Sequence, residues 1–247
     1  MAADHASLRR VHEEDPDPRS PWLTMALHVV MMGPPGAGKG TQAAMFARER
    51  GIPKISTGDM LREAVASGSA LGSAVRETID RGDLVEDQVI IRVVEDRLSR
   101  SDVTAGFVLD GFPRTVPQAR ALDGMLAGRE PLVVVEIQVP DEELVRRVRG
   151  RRVCSGCGTP ASAFNGEAVA ACASCGGRLV QRSDDSESVV RERLRVYWRE
   201  TRPMVEFYRE RPTFRVIDGA RPPDQVRAAL GAAVTSALDA AGGGPAA

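Results

Sequence analysis

Residues Gly33-Pro34-Pro35-Gly36-Ala37-Gly38-Lys39 satisfy the pattern G-x-x-x-x-G-K, and their flanks decide what the chain can fold into. Before them, Leu27-His28-Val29-Val30-Met31-Met32 is an apolar run too short for a helix and suited to a buried parallel strand. After them the pattern is helical from Gly40 through Arg50, and Gly51-Ile52-Pro53 stops it. A strand, a glycine-rich turn and a helix in that order turn backbone N–H groups inward around phosphate oxygens. Lys39 adds a compact point charge that a planar guanidinium would not match.

Three further apolar runs repeat the alternation. Phe107-Val108-Leu109 ends in Asp110-Gly111. The run from Leu132 to Val139 precedes Pro140 and a helix opening Asp141-Glu142-Glu143. Phe214-Arg215-Val216-Ile217 ends in Asp218-Gly219. The expected class is α/β, a P-loop NTPase-like open parallel sheet flanked by helices, with ligands beyond the carboxyl ends of its strands. Asp110, at a strand end beside the loop, is the acidic partner expected to hold Mg²⁺ directly or through water. The residue after Lys39 is Gly40 rather than Ser or Thr, with Thr41 next, so the usual hydroxyl ligand is displaced by one. Two stretches do not fit the alternation. Residues 56–85 read as short helices without a strand, and residues 150–185 are glycine-rich and poor in large apolar side chains. Both read as small insertions able to move as units.

The formal net charge of the 247 residues is −1, so no global field draws the chain to nucleic acid or membrane. Basic residues are almost all arginine: Lys39 and Lys54 stand against thirty-one arginines. Most of those arginines read as solvated helix faces, as in the series Arg191, Arg195 and Arg199. No apolar run approaches the ~20 residues of a transmembrane helix. Residues 1–25 are too acidic and proline-rich for a transit peptide, lack a secretory apolar middle, and read as a disordered extension. Residues 241–247 read as a flexible tail. Met25 is a candidate start of translation. A cytoplasmic monomer is expected.

In a reducing compartment the four cysteines favour metal over disulfides. Cys154-Ser155-Gly156-Cys157 and Cys172-Ala173-Ser174-Cys175 form C-x₂-C…C-x₂-C with fourteen residues between, close to the spacing of a Cys₄ zinc site. Structural Zn²⁺ is the leading reading, with an iron–sulfur cluster or reactive thiols as alternatives. Four thiolates leave no open position for catalysis. The segment between the knuckles has no Lys or Arg and one aromatic, Phe164, which argues against a nucleic-acid surface.

From about Leu27 to Leu238 the sequence resembles the adenylate kinase family. Three segments carry the resemblance: Gly33 through Gln42, with Gly40-Thr41 after the lysine; Ser56-Thr57-Gly58-Asp59-Met60-Leu61-Arg62; and Asp110-Gly111-Phe112-Pro113-Arg114-Thr115 followed by Gln118. The resemblance implies reversible Mg²⁺-dependent phosphoryl transfer, ATP + AMP = 2 ADP. It implies a nucleoside monophosphate kinase domain over 26–240, with core segments 26–55, 86–149 and 186–240, an AMP-binding insertion 56–85 and a lid 150–185. Gly36, Ala37, Gly38, Lys39, Gly40, Thr41, Arg147, Arg151 and the Val216 carbonyl would serve ATP. Thr57, Arg62, Asp83, Leu84, Val85, Gly111, Phe112, Pro113, Arg114, Gln118, Arg182 and Arg193 would serve AMP. Lys39, Asp110, Arg114, Arg151, Arg182 and Arg193 would act on the transferring phosphoryl group. Some members carry a zinc-held lid where Cys154, Cys157, Cys172 and Cys175 lie. The stretch after the first knuckle, Gly158 to Ala163, departs from the family in lacking an aromatic. The alternatives are a UMP/CMP-type kinase, which tends to differ at the positions of Thr57 and Gln118, and a P-loop protein using its knuckles to bind a partner protein or nucleic acid.

Overall fold

The computed structural model describes residues 26–128, 131–156, 160–162, 171–173 and 175–242. The expected extension 1–25, Cys157 and Phe164 lie outside them. Five parallel strands form the main sheet in the order β2-β3-β1-β4-β8: β1 (Leu27–Met32), β2 (Lys54–Ser56), β3 (Gly106–Asp110), β4 (Leu132–Gln138) and β8 (Phe214–Asp218). All four strand pairings are parallel, and β1 sits at the centre, with Val29 opposite Val108 on one side and Val133 on the other.

The continuous apolar runs follow from burial on both faces, because successive side chains of a strand point to opposite sides. Val29, Met31, Val108, Val133, Val135 and Ile137 face one core. There they meet α1 (Lys39–Arg50), α6 (Asp141–Arg149), α7 (Glu187–Val196) and α9 (Pro223–Gly242). Val30, Met32, Phe107, Leu109 and Val134 face the other core, against α2 (Thr57–Ala66), α4 (Asp87–Leu98), α5 (Val116–Met125) and α8 (Arg202–Arg209). Each fully buried Val, Leu or Ile contributes about 1.5–3 kcal/mol, so this sheet is the stable part of the molecule. Glu136 breaks the apolar run of β4 and is buried. Its carboxylate accepts from Arg202 (2.6 Å) and Gln138 (3.0 Å), which satisfies the charge.

Three differences from the sequence reading have local causes. β2 was not expected. It has three residues at the sheet edge, too few to show a period. Between α7 and α8 the chain winds as a π-turn over Tyr197–Thr201. Pro203 at the start of α8 has no N–H to offer the turn before it, which disrupts the α-helical ladder there. Finally, α9 runs through Gly242, two residues into the expected tail.

In the 56–85 segment, α2 packs against α3 (Ala70–Arg81). Ser56 caps α2 by accepting from the Asp59 N–H at 3.3 Å, and Ser69 caps α3 through the Gly72 N–H at 3.1 Å. Within 150–185 a separate antiparallel sheet has the order β6-β5-β7, from β5 (Arg151–Cys154), β6 (Pro160–Ser162) and β7 (Leu179–Val180).

Candidate active site

The loop 33–38 leaves β1 at the carboxyl edge of the sheet and delivers Lys39 to the first turn of α1. Gly36 has φ +89°, and a Cβ there would lie 2.8 Å from Val148 and 2.9 Å from the Leu144 carbonyl, so only glycine fits. The Lys39 ammonium donates back to the carbonyls of Gly33 (2.7 Å) and Pro34 (2.9 Å). Burial, reinforced by Arg114, Arg193 and Arg151 and opposed by Asp110, brings its pKa down to about 7.

Gly40 has a steric reason. A Cβ at this position would lie 3.0 Å from Asp110 Oδ2, so a larger residue would press on the carboxylate that ends β3. Lys54 Nζ stands 3.6 Å from the same Oδ2 and 3.3 Å from Asp59 Oδ2. The second lysine of the chain thus belongs to the same site as the first.

Two neighbouring cavities open here. The larger, about 430 Å³, is lined by the loop and by Lys39, Thr41, Asp110, Arg147, Arg151 and Arg182. The smaller, about 60 Å³, is lined by Thr57, Leu61, Asp83, Leu84, Val85 and Gln118. Gly58, Arg62, Gly111, Arg114 and Arg193 line both, so three guanidinium groups stand where the cavities meet.

Carboxylates hold most of these arginines. Arg151 makes a forked pair with Asp185. Arg193 donates to Asp184 Oδ2 at 2.9 Å, and Arg62 to Asp59 Oδ1 at 2.6 Å. Arg62 and Arg182 also lie 3.7 Å from Asp184 and Asp59, respectively. Burial works against the charge on Asp59 and Asp184, but the surrounding lysine and arginines more than offset it and lower both pKa values. Asp184 Oδ1 is buried with no hydrogen-bond partner among the described residues. Arg114 differs: its Nε donates to the Gly111 carbonyl at 2.8 Å, and among the described residues it has no ion pair. Its pKa is lowered by burial and by Arg62, with Asp110 and Asp184 opposing. Such a group is built to receive an anion.

Most residues expected to serve the nucleotides or the transferring phosphoryl group converge on these cavities, and three do not. Phe112, joined to Pro113 by a cis peptide, is buried in the core behind the wall. Pro113 does not line either cavity. Val216, expected to serve through its carbonyl alone, lines neither cavity, while Gly219, Arg221 and Pro223 line the larger one. Arg147 lines that cavity with its guanidinium held by Glu143 and the Gly219 carbonyl, both at 2.8 Å. Thr57 donates to the Gly111 carbonyl at 2.8 Å, which ties the 56–85 segment to the end of β3. The residues missed are Lys54 and the carboxylates that hold the arginines, Asp59, Asp184 and Asp185. Their signals were the rarity of lysine, for Lys54, and the Asp184-Asp185 pair just after Arg182.

The Sγ atoms of Cys154, Cys172 and Cys175 lie within 4.8 Å of one another, and Cys154 and Cys175 are 3.4 Å apart. That separation is too long for a disulfide and near the ~3.8 Å edge of a tetrahedron with ~2.3 Å metal–sulfur bonds. The Gly156 N–H donates to Cys154 Sγ at 3.3 Å, and the Gly176 N–H to the Cys172 carbonyl at 2.8 Å. The cluster can hold a metal ion. Cys157 lies outside the described residues.

A phosphate loop at the carboxyl edge of a parallel sheet, with guanidinium groups shared by two cavities, defines a nucleotide-binding phosphotransferase of the P-loop class. The family model described as adenylate kinase matches residues 31–213. The adenylate kinase of Symbiobacterium thermophilum is 50% identical over 212 residues, covering 84% of this chain and 98% of that protein. Those of Archaeoglobus fulgidus and Acidothermus cellulolyticus are each 46% identical, over 79% and 84% of this chain and 92% and 98% of their own lengths. The chain belongs to the adenylate kinase family.

Proposed function

We propose that this protein transfers the terminal phosphoryl group of ATP to AMP, reversibly giving two ADP. The observation that carries the reading is the cluster of Arg62, Arg114 and Arg193 on the boundary between a phosphate-loop cavity and a second cavity that ends in an amide side chain. ATP would place its phosphates on the loop and Lys39, with Arg151 and Arg182 reaching them from residues 150–185. AMP would occupy the smaller cavity, its phosphate on Arg62 and Arg114 and its base at Gln118.

The chemistry asks for placement more than for a proton carrier. An AMP phosphate with a second pKa of about 6 is mostly a dianion near neutral pH. One of its oxygens attacks the γ-phosphorus of ATP, and the bond from that phosphorus to the bridging oxygen breaks, leaving ADP on both sides. Lys39, Arg114 and Arg193 hold the two polyanions in line and neutralise the charge spread over the transferring group. Asp59, Asp184 and Asp185 release the arginines they hold as phosphates arrive. Asp110, at the end of β3 beside the loop, would hold Mg²⁺ directly or through water, and the ion would supply further neutralisation of the donor phosphates.

In this reading residues 56–85 form the AMP-binding insertion and residues 150–185 a lid, the two together excluding water from the donor. Cys154, Cys157, Cys172 and Cys175 would hold a structural Zn²⁺, which would supply the cross-link that the segment's sparse apolar side chains do not. Every group required comes from one chain, consistent with a monomer, and the thiolates suit a reducing cytoplasm. The test is ADP formation from ATP with AMP, UMP, CMP and GMP as acceptors. Preference for AMP by about tenfold or more is expected, because a buried amide left unpaired costs about 1–3 kcal/mol. Equal rates with UMP would overturn AMP as the acceptor in favour of a UMP/CMP-type kinase.

A further inference from the structure

The Gln118 side chain, 2% exposed at the wall of the smaller cavity, is gripped at both ends of its amide. Its Oε1 accepts from the backbone N–H of Arg114 at 2.8 Å, and its Nε2 donates to Asp87 Oδ1 at 2.7 Å. Asp87 is itself held by the Thr115 hydroxyl, 3.0 Å from both carboxylate oxygens. From this arrangement we infer that Asp87 is the positioning residue that locks Gln118 to read a 6-amino purine and reject a 6-oxo purine. The inference rests on the reading that the smaller cavity holds the acceptor base.

An amide offers two N–H donors and two acceptor lone pairs. Arg114 and Asp87 use one of each. What remains for a ligand is one lone pair on Oε1 and one N–H on Nε2, in fixed positions. That pair complements a base edge with an amino donor beside a ring-nitrogen acceptor, the edge adenine presents. A 6-oxo purine presents a carbonyl acceptor beside a ring N–H donor and would require the amide to turn over. Turning it over sets Nε2 against the Arg114 N–H, donor to donor, and Oε1 against the Asp87 carboxylate, acceptor to acceptor. Both bonds are lost and both contacts become repulsive. The Arg114 N–H is backbone and fixed by the fold. Asp87 is therefore the part of the lock that sequence can change. The carboxylate is a one-way gauge because, unlike an amide, it cannot donate.

Asp87→Asn keeps the shape and removes the direction. The asparagine amide can rotate to donate to a reversed Gln118, leaving one unfavourable contact instead of two. With ATP as donor, the ratio of kcat/KM for AMP to that for IMP should fall about tenfold or more, through KM, while kcat with AMP changes by less than about threefold. Gln118→Leu serves as the reference, since it removes the reading amide altogether. If Gln118→Leu collapses the ratio and a folded Asp87→Asn leaves it intact, the role of Asp87 is overturned and the acceptor site stands. If neither variant moves the ratio, the acceptor-site reading itself fails. Side-chain amide NMR of the full-length wild-type protein gives a second test that needs no variant. Nuclear Overhauser contacts from the Gln118 Nε2 protons should reach Asp87 and Thr115. A contact to the Arg114 amide proton in their place marks the reversed orientation and overturns the inference.

Discussion

Along β1 and β4 every side chain from Val29 to Met32 and from Leu132 to Ile137 is buried, whereas among the described residues of 150–185 the buried apolar side chains are the two thiols Cys154 and Cys172. The sheet fixes the phosphate loop by apolar packing on both faces. The 150–185 segment fixes Arg151 and Arg182 with a small sheet, a thiol cluster and ion pairs. Packing is indifferent to a bound polyanion. Ion pairs are not, because each carboxylate on an arginine competes with phosphate for the same guanidinium. The contrast teaches that the stable half of this molecule holds the site's position, while the half held by exchangeable contacts can respond to ligand.

The largest effect should come from the rigid side. Lys39→Met should lower kcat by about 10²–10³-fold, the range seen when a charge-stabilising donor is removed, while thermal unfolding shifts little. Lys39→Arg should keep the charge and remain largely inactive, because the pocket beneath Gly33 and Pro34 suits a compact ammonium. Near-normal turnover in either variant would remove Lys39 from the transition state.

On the other side, Cys172→Ser should strip the metal, which in isolated zinc-finger peptides contributes about 10–16 kcal/mol of binding free energy at neutral pH. The loss should be local. Residues 150–185 should unfold at lower temperature than the sheet, and turnover should fall about tenfold or more as Arg151 and Arg182 lose their frame. AMP binding should change less than turnover, since Arg62, Arg114 and Gln118 lie outside that segment and, among its described residues, only Asp184 reaches the smaller cavity. Metal analysis, calorimetric unfolding and AMP titration read these separately. Protein without zinc that keeps full activity and unchanged melting would dissolve the contrast.

How much of this was legible in the sequence follows the same division. The strands that carry the site declared themselves as apolar runs ending in Gly or Asp, because burial on both faces leaves a one-dimensional trace. β2 left none, being three residues long. The arginines were placed by motif register, but their carboxylate partners were not. Arg62 meets Asp184, Arg151 meets Asp185, and Gln118 meets Asp87 across long stretches of chain that no local period reports. Gly40 was visible as a departure from the loop pattern, and its cause became plain only with Asp110 beside it.

A smaller effect tests the electrostatics of the loop. Burial and the neighbouring arginines bring the Lys39 pKa down to about 7 from an ordinary 10.5. Polyphosphate on the loop should return it toward that ordinary value, so the complex favours the protonated form. Binding therefore takes up a proton between the two values, and ATP affinity should fall as pH rises above about 7, by at most about tenfold per pH unit. Calorimetric ATP titrations at several pH values, in buffers of different ionisation heat, measure the uptake directly. Lys39→Met should lose it. A flat affinity and no buffer dependence would mean that the ammonium is already fully charged in the free protein.

The smallest expected effect separates arginines that serve the site from those that do not. Arg191, Arg195 and Arg199 pair with Glu187, Glu192 and Glu200, and their side chains are 62%, 68% and 59% exposed. Arg193, on the same helix, is 16% exposed and turned to Asp184 and Asp185. Exposed pairs gain little, because water and salt screen them and ordering two long side chains costs entropy. Arg191→Ala should therefore leave kcat and KM unchanged and stability within about 0.5 kcal/mol. Arg193→Ala should lower turnover sharply, since it removes a charge at the junction of the two cavities and leaves buried Asp184 with one fewer partner. Steady-state kinetics and denaturant unfolding of the two variants side by side decide the matter. Equal losses would mean that the helix acts as one charged surface and that convergence on the cavities is not what distinguishes its arginines.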